Sequence, residues 1–226
     1  ISPTGHQQRS AAVIVVNATR GNCSLSERLR STSECARKAA MCALQEEVRS
    51  DRICWIDLEM TGLDIEKDSI MEIACIITRA DLTEVARLES IIIHQPEYVV
   101  NAMGDWCKQH HGRSGLTQAC LNSQITMREA ELRVLAFLEE HIISQKVPIA
   151  GNSIHMDRMF LLKYMPDVNR YLSYRSIDVS SVAELCRRWH PDIFKRAPEK
   201  KKAHRAHDDI VESIRELAYY KANLFK

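Results

Sequence analysis

The sequence predicts an α/β fold: one mixed five-stranded sheet with helices on its faces. Three observations predict it. Three apolar runs rich in β-branched residues come first, joined by links too short for crossover helices. A helix-periodic stretch follows, and strand-like and helix-like segments then alternate to the C-terminus. Closely linked strands pair antiparallel, whereas alternating β and α units lay strands parallel under helices.

Taken in order, residues 53–56 read as a short buried strand, and residues 70–78 and 88–93 as two more. Helices are expected over residues 102–110 and 126–142. In the second, Met127, Ala130, Val134, Leu138 and Ile142 recur every three or four residues, the spacing of one helical face. Residues 147–151 read as a strand ending in a glycine turn, 157–164 as a helix, and 174–179 as the last strand. Ser180 or Ser181 is expected to cap a helix running to Trp189. The final helix places Ala206, Ile210, Ile214 and Leu217 on one face.

Residues 1–50 have a different character. The first 26 contain no acid, carry Arg9 and Arg20, and are rich in small polar residues. They read as an N-terminal extension, a targeting segment or a poorly ordered linker, ahead of a folded domain over residues 51–226. No window approaches the roughly 20 apolar residues of a membrane span. Eight cysteines with no Cys-x-x-Cys pair argue against a zinc ribbon and for a reducing compartment. The net charge of +1 is too small for a protein that grips a long nucleic acid through many phosphates. A small substrate, or charge concentrated in one place, fits better.

The chemistry lies in the acids. Asp57 and Glu59 end the first strand two residues apart, so both point to one side beside a buried run. Like charges held that close need a neutralising partner, and a cation serves. Asp157 follows the strand and turn that include Gly151, Asn152 and Ser153. Asp209 lies on the final helix, with His204 before it and the basic run Lys200, Lys201 and Lys202 close by. Each element alone is compatible with a solvated acid or an ordinary helix-end charge. Together they are what a two-metal phosphodiester site needs: oxygen ligands suited to magnesium or manganese, and a histidine able to take a proton from water.

The run Trp55-Ile56-Asp57-Leu58-Glu59-Met60-Thr61-Gly62-Leu63-Asp64, then Gly151-Asn152-Ser153 with Asp157, Tyr174-Arg175, Asp178-Val179-Ser180, and His204 with Asp209, resemble the motifs of the exonuclease superfamily with three aspartates, one glutamate and a histidine. The match is closest to the oligoribonucleases, small-RNA exonucleases on a ribonuclease H-like fold. That resemblance implies a 3′-to-5′ exoribonuclease that cuts dinucleotides and slightly longer RNA to 5′-mononucleotides. It implies two divalent cations, Mg²⁺ or Mn²⁺, on Asp57, Glu59, Asp157 and Asp209, with His204 as general base. It implies that Leu63 wedges against the bases and that Trp106 and His111 line the nucleotide pocket. Ser153, Arg175 and Ser180 would hold the 5′-phosphate, with Tyr174 contributed across a homodimer. The implied location is mitochondrial, cytoplasmic or both.

Some residues fit less simply. His207 stands where an apolar residue is expected, and with His204 it makes two candidates for the base. His110 and His111 make two candidates for the pocket, Trp106 could be plain core, and Cys107 has no role. Two rival readings share the motifs in part: a DNA exonuclease on the same fold, and a catalytically silent nucleic-acid-binding module.

Overall fold

The computed structural model describes residues 49–199 and 205–225, together with Glu34, Ala36, Lys38, Ala39 and Met41. The chain divides into two units, residues 1–43 and 44–226. In the first, the five described residues are helical and exposed, and Lys38 lies 3.8 Å from Glu34 one turn away. Of the rest of the expected extension, Arg49 and Ser50 are described, half-buried and part of the second unit; the remainder lies outside the described residues.

The second unit holds the sheet. β1 (Arg52–Met60), β2 (Ile70–Arg79) and β3 (Glu84–Ile92) form an antiparallel meander, and β4 (Ile149–Gly151) and β5 (Ser176–Asp178) add to β1 in parallel, giving the order β3-β2-β1-β4-β5. The helices are α1 (Glu97–Asn101), α2 (Asp105–Arg113), α3 (Leu116–Asn122), α4 (Met127–His141), α5 (His155–Tyr164), α6 (Pro166–Tyr171), α7 (Val179–Trp189), α8 (Pro191–Lys195) and α9 (Ala206–Leu224). This is the expected mixed sheet flanked by helices.

Strand alternation explains the two layers. Cys54, Ile56 and Leu58 face one way and pack with Val134 and Leu138 of α4 and Phe160 and Leu161 of α5. Ile53 and Trp55 face the other way and pack with Ala206, Ile210 and Tyr220 of α9. Each buried Ile, Leu, Val or Phe among them contributes about 1.5–3 kcal/mol by leaving water. Asp57 and Glu59 continue the second face, so the pleat carries both acids toward α9.

Four expectations need correction. β3 begins at Glu84, because a tight turn (Arg79 N–H to Thr83 O, 2.9 Å) folds the chain back at once; half-exposed polar residues hid its first half. The helix expected over 102–110 is two, α1 and α2, separated by residues 102–104. The cap of α7 is Asp178, whose carboxylate accepts from Ser180 N–H at 3.0 Å; Ser180 and Ser181 lie inside the helix. On α9 the buried face runs Ala206, Ile210, Ser213, Glu216 and Tyr220, with Ile214 and Leu217 half-buried at its flank.

Helix ends are secured locally. Thr126 and Glu129 form a reciprocal capping box at the start of α4. At its other end Arg49 donates to the carbonyls of Glu139 (2.7 Å) and Glu140 (2.8 Å), and Arg52 to that of His141. These arginines satisfy carbonyls that a helix C-terminus otherwise leaves to solvent.

Candidate active site

The end of β1 brings Asp57 and Glu59 toward the first turn of α9. There Asp57, Glu59 and Asp209 each offer an oxygen within 4.8 Å of the others. Asp157, in the first turn of α5, is buried beside them, and its Oδ1 accepts from Leu58 N–H at 2.9 Å. This bond across two elements fixes the carboxylate in direction.

Crowding and burial leave a mark on these acids. Asp57 is pushed well above the usual carboxylate range, first by burial and then by the charges of Asp157, Glu59 and Asp209. Burial, followed by repulsion from Asp209 and Glu72, raises Glu59 to about 8. Burial raises Asp157 to about 7, against the lowering effect of the bond from Leu58. Carboxyls crowded into one pocket bind protons more readily than free ones, and a cation can take the place of those protons. The donor set is all oxygen, which fits a hard divalent ion.

A fixed cation borders the cluster. Glu72 is fully buried opposite Glu59 in the β1–β2 register, and the Arg205 guanidinium donates to it from Nε and Nη2 at 3.2–3.3 Å. The backbone of Arg205 also accepts from Asp209 N–H at 3.1 Å. The pair therefore ties the start of α9, and Asp209 with it, to β2.

Beyond the acids, the β1–β2 loop carries Leu63, which is 67% exposed. Leu63, Tyr98, Trp106 and Cys107 line a cleft of about 530 Å³. Gly62 also lines this cleft, and a Cβ there would come within 2.3 Å of the Asp68 carboxylate. That carboxylate is held in place by Thr61 Oγ1 (2.8 Å) and Asp64 N–H (2.9 Å), so it cannot simply swing aside. Trp106 is 58% exposed, which removes the core-packing reading. The two adjacent histidines separate. His110 stacks on Trp106 with centroids 3.9 Å apart. His111 is buried, donates from Nε2 to Met60 O at 2.9 Å and has Nδ1 3.9 Å from Glu59.

On the other side, the turn after β4 meets the start of α7. Gly151 lets this turn approach β1: an added Cβ would stand 3.1 Å from Ile56 O. Ser153 adopts φ 51°, and its N–H reaches Asp178 Oδ1 (2.9 Å) and Ser180 Oγ (3.0 Å). Ser180 Oγ also accepts from Ser153 Oγ (3.2 Å) and Asn152 Nδ2 (3.3 Å). The next loop carries Tyr174, 80% exposed, with the Arg175 guanidinium 5.2 Å from its ring centre. Arg158 braces that loop, donating to Ser173 O (2.6 Å), Arg175 O (3.2 Å) and Ser176 Oγ (3.2 Å).

The structure thus brings together Asp57, Glu59, Asp157 and Asp209, groups Leu63 with Trp106, and joins Ser153 to Ser180. Tyr174 and Arg175 share the neighbouring loop. His204 and Lys200 to Lys202 lie outside the described residues. Sequence reasoning missed Tyr98, Glu72, Arg158 and Arg205. Of these only Glu72 left a signal, as an acid in the middle of an apolar strand. His207 is half-buried, and Arg87 Nη1 donates to its Nε2 at 3.0 Å, on the β3 side of α9.

The exonuclease family model matches residues 54–217. Human mitochondrial oligoribonuclease is 52% identical over 188 residues, 83% of this chain and 78% of that protein. A probable oligoribonuclease of Drosophila melanogaster is 49% identical over 190 residues, covering 84% and 88%. The oligoribonuclease of Marinobacter nauticus is 48% identical over 176 residues, covering 78% and 97%. Among solved structures, exonuclease I of Methylocaldum szegediense shares the fold with a TM-score of 0.60 at 14% identity, over 77% of this chain and 41% of its own. This chain belongs to the oligoribonuclease family of the exonuclease superfamily.

Proposed function

We propose that this protein is a metal-dependent 3′-to-5′ exoribonuclease that degrades dinucleotides and RNA a few nucleotides long to 5′-mononucleotides. The observation that carries the chemistry is the convergence of half-buried Asp57, Glu59 and Asp209 with buried Asp157 beside them. These four acids would hold two divalent cations, Mg²⁺ or Mn²⁺, which would supply charge stabilisation for an in-line displacement at phosphorus. His204 takes the proton from the attacking water. His207 is unsuited to that task, because its Nε2 lone pair is occupied by Arg87.

The rest of the site measures the substrate. Leu63 and Trp106 receive the nucleotide at the 3′ end, with His111 buried beside Glu59. Ser153, Ser180 and Arg175 hold the 5′-phosphate: the Ser153 and Ser180 hydroxyls lie 3.2 Å apart, and a rotating hydroxyl can turn its hydrogen to an anion. Arginine suits the role through its planar fork. A substrate held at both ends is short, which agrees with the small net charge. We assign a homodimer in which Tyr174 closes the partner's site. Its support is exposed apolar surface: Tyr174 itself, and Leu185, Trp189 and Phe225 around a cleft of about 210 Å³ between α7 and the end of α9. The mitochondrial names of several relatives support that compartment, and bacterial relatives leave the cytoplasm open. No helix among the described residues is long and apolar enough to cross a membrane.

The test compares a 5′-phosphorylated diribonucleotide with a long single-stranded RNA, in Mg²⁺ or Mn²⁺ and in EDTA, with Asp157→Ala alongside. Rapid, metal-dependent cleavage of the dinucleotide and slow attack on the long strand are expected, with an inactive variant. Equal or faster digestion of the long strand would refute the short-substrate reading.

A further inference from the structure

We propose that Tyr98 is a further substrate contact, an aromatic platform for the 3′-terminal base, and that it strengthens binding without sharing in the chemistry. The inference rests on the exonuclease reading above and names a residue outside the sequence motifs.

Tyr98 is 75% exposed, beside Leu63 at 67% and Trp106 at 58%, and all three line the one cleft of about 530 Å³, whose wall includes Thr61, two residues beyond Glu59 in the chain. They come from three separate places: Leu63 from the β1–β2 loop, Tyr98 from α1 and Trp106 from α2. Scattered exposed apolar side chains need no explanation, but three large ones around one cleft mark a surface that binds something. The volume lies in the range of small-molecule sites, roughly 300–1,000 Å³.

Packing does not account for Tyr98. Helix α1 spans only Glu97–Asn101 and is anchored by Val100, which joins Met71, Met103 and Leu116 in a buried cluster. The Tyr98 ring belongs to no core cluster among the described residues. Trp106, by contrast, is already backed by His110. A second aromatic side chain on the same cleft, outside the core, is suited to stack on a flat ligand.

The position of the cleft selects the end of the substrate. At the ends of β1, β4 and β5, the Ser153 and Ser180 turn lies on the β4–β5 side and the Leu63 loop follows β1. The acids of β1 come between them. With the 5′-phosphate on the serine side, the base in the cleft is the 3′-terminal one. Stacking tolerates any base, because each has a π-face, and it favours purines for their larger area.

Steady-state cleavage of two 5′-phosphorylated dinucleotides tests this, one with a 3′-terminal purine and one whose 3′-terminal ribose is abasic. For Tyr98→Ala, the purine substrate should show a KM raised about 5- to 100-fold with kcat within about twofold. Tyr98→Phe should stay close to the unaltered protein. With the abasic substrate, Tyr98→Ala and the unaltered protein should have the same KM. An unchanged KM on the purine substrate, or an equal rise on both, would overturn the role of Tyr98 while leaving the exonuclease reading intact. Failure of the unaltered protein to cleave the purine dinucleotide would overturn both together.

Discussion

Raising the pH should destabilise the metal-free protein, and a divalent cation should restore it. Folding raises the pKa of Glu59 from 4.5 to about 8 and that of Asp157 from 3.8 to about 7. A carboxyl group with a raised folded pKa holds its proton in the folded state after the unfolded chain has lost it. Its contribution to stability is complete below the unfolded pKa and is lost as pH climbs through the folded one. The window is therefore about pH 4.5 to 8 for Glu59 and about pH 4 to 7 for Asp157. At about 1.4 kcal/mol per pH unit, each rise corresponds to about 4–5 kcal/mol. Both acids act on Asp57, so the two losses overlap and do not add in full. For a domain of this size 1 kcal/mol moves Tm by about 2–4 °C, so a net loss near 5 kcal/mol lowers it by about 10–20 °C.

The assay is thermal unfolding in EDTA and in excess Mg²⁺ or Mn²⁺ at steps between pH 5 and 9. In EDTA, Tm should fall across this range. With metal the fall should shrink, because a cation at a hundred times its Kd contributes about 2.7 kcal/mol and competes with the protons. Glu59→Gln carries no charge to expel, so it should flatten the EDTA profile and raise Tm at pH 8. A Tm in EDTA that stays level or rises between pH 5 and 8 would refute the crowded-carboxylate argument.

Three other perturbations separate the parts of the site. Arg205→Gln leaves Glu72 buried without its partner and should cost about 3 kcal/mol by denaturant unfolding; adding Glu72→Gln should recover most of it, and a lack of recovery would contradict the pairing. Arg175→Ala should reduce kcat/KM at least about tenfold on a 5′-phosphorylated dinucleotide but little on one with a 5′-hydroxyl; equal losses on both would remove the phosphate contact. Replacing Lys200, Lys201 and Lys202 by alanine should lower kcat/KM more at low salt than at high salt, and an effect independent of salt would rule out electrostatic capture.

What could be read in the sequence and what could not divide along a physical line. Asp57 and Glu59 were legible as a converging pair because strand side chains alternate, and the pleat of β1 does carry both toward α9. The meander of β1 to β3 followed from links too short for a helix, and α4 from a periodicity that only a helix satisfies. These are local properties, fixed by spacing along the chain. Much of what was missed in the site depends on approach between distant residues. Leu58 N–H meets Asp157 across 99 positions, and Arg205 meets Glu72 across 133. The cap of α7 shows the same limit on a small scale. Two serines within the first turn looked like the cap, yet the carboxylate of Asp178 takes that place and also holds Ser153 from the preceding turn. One acid thereby fixes a helix start and a turn at φ 51° together, and the turn's strain is offset by bonds the sequence does not display. The candidate site is thus a set of locally legible acids held in register by contacts that only folding reveals. Variants at Arg205 and Asp178 should therefore disturb activity although neither residue belongs to the acid cluster.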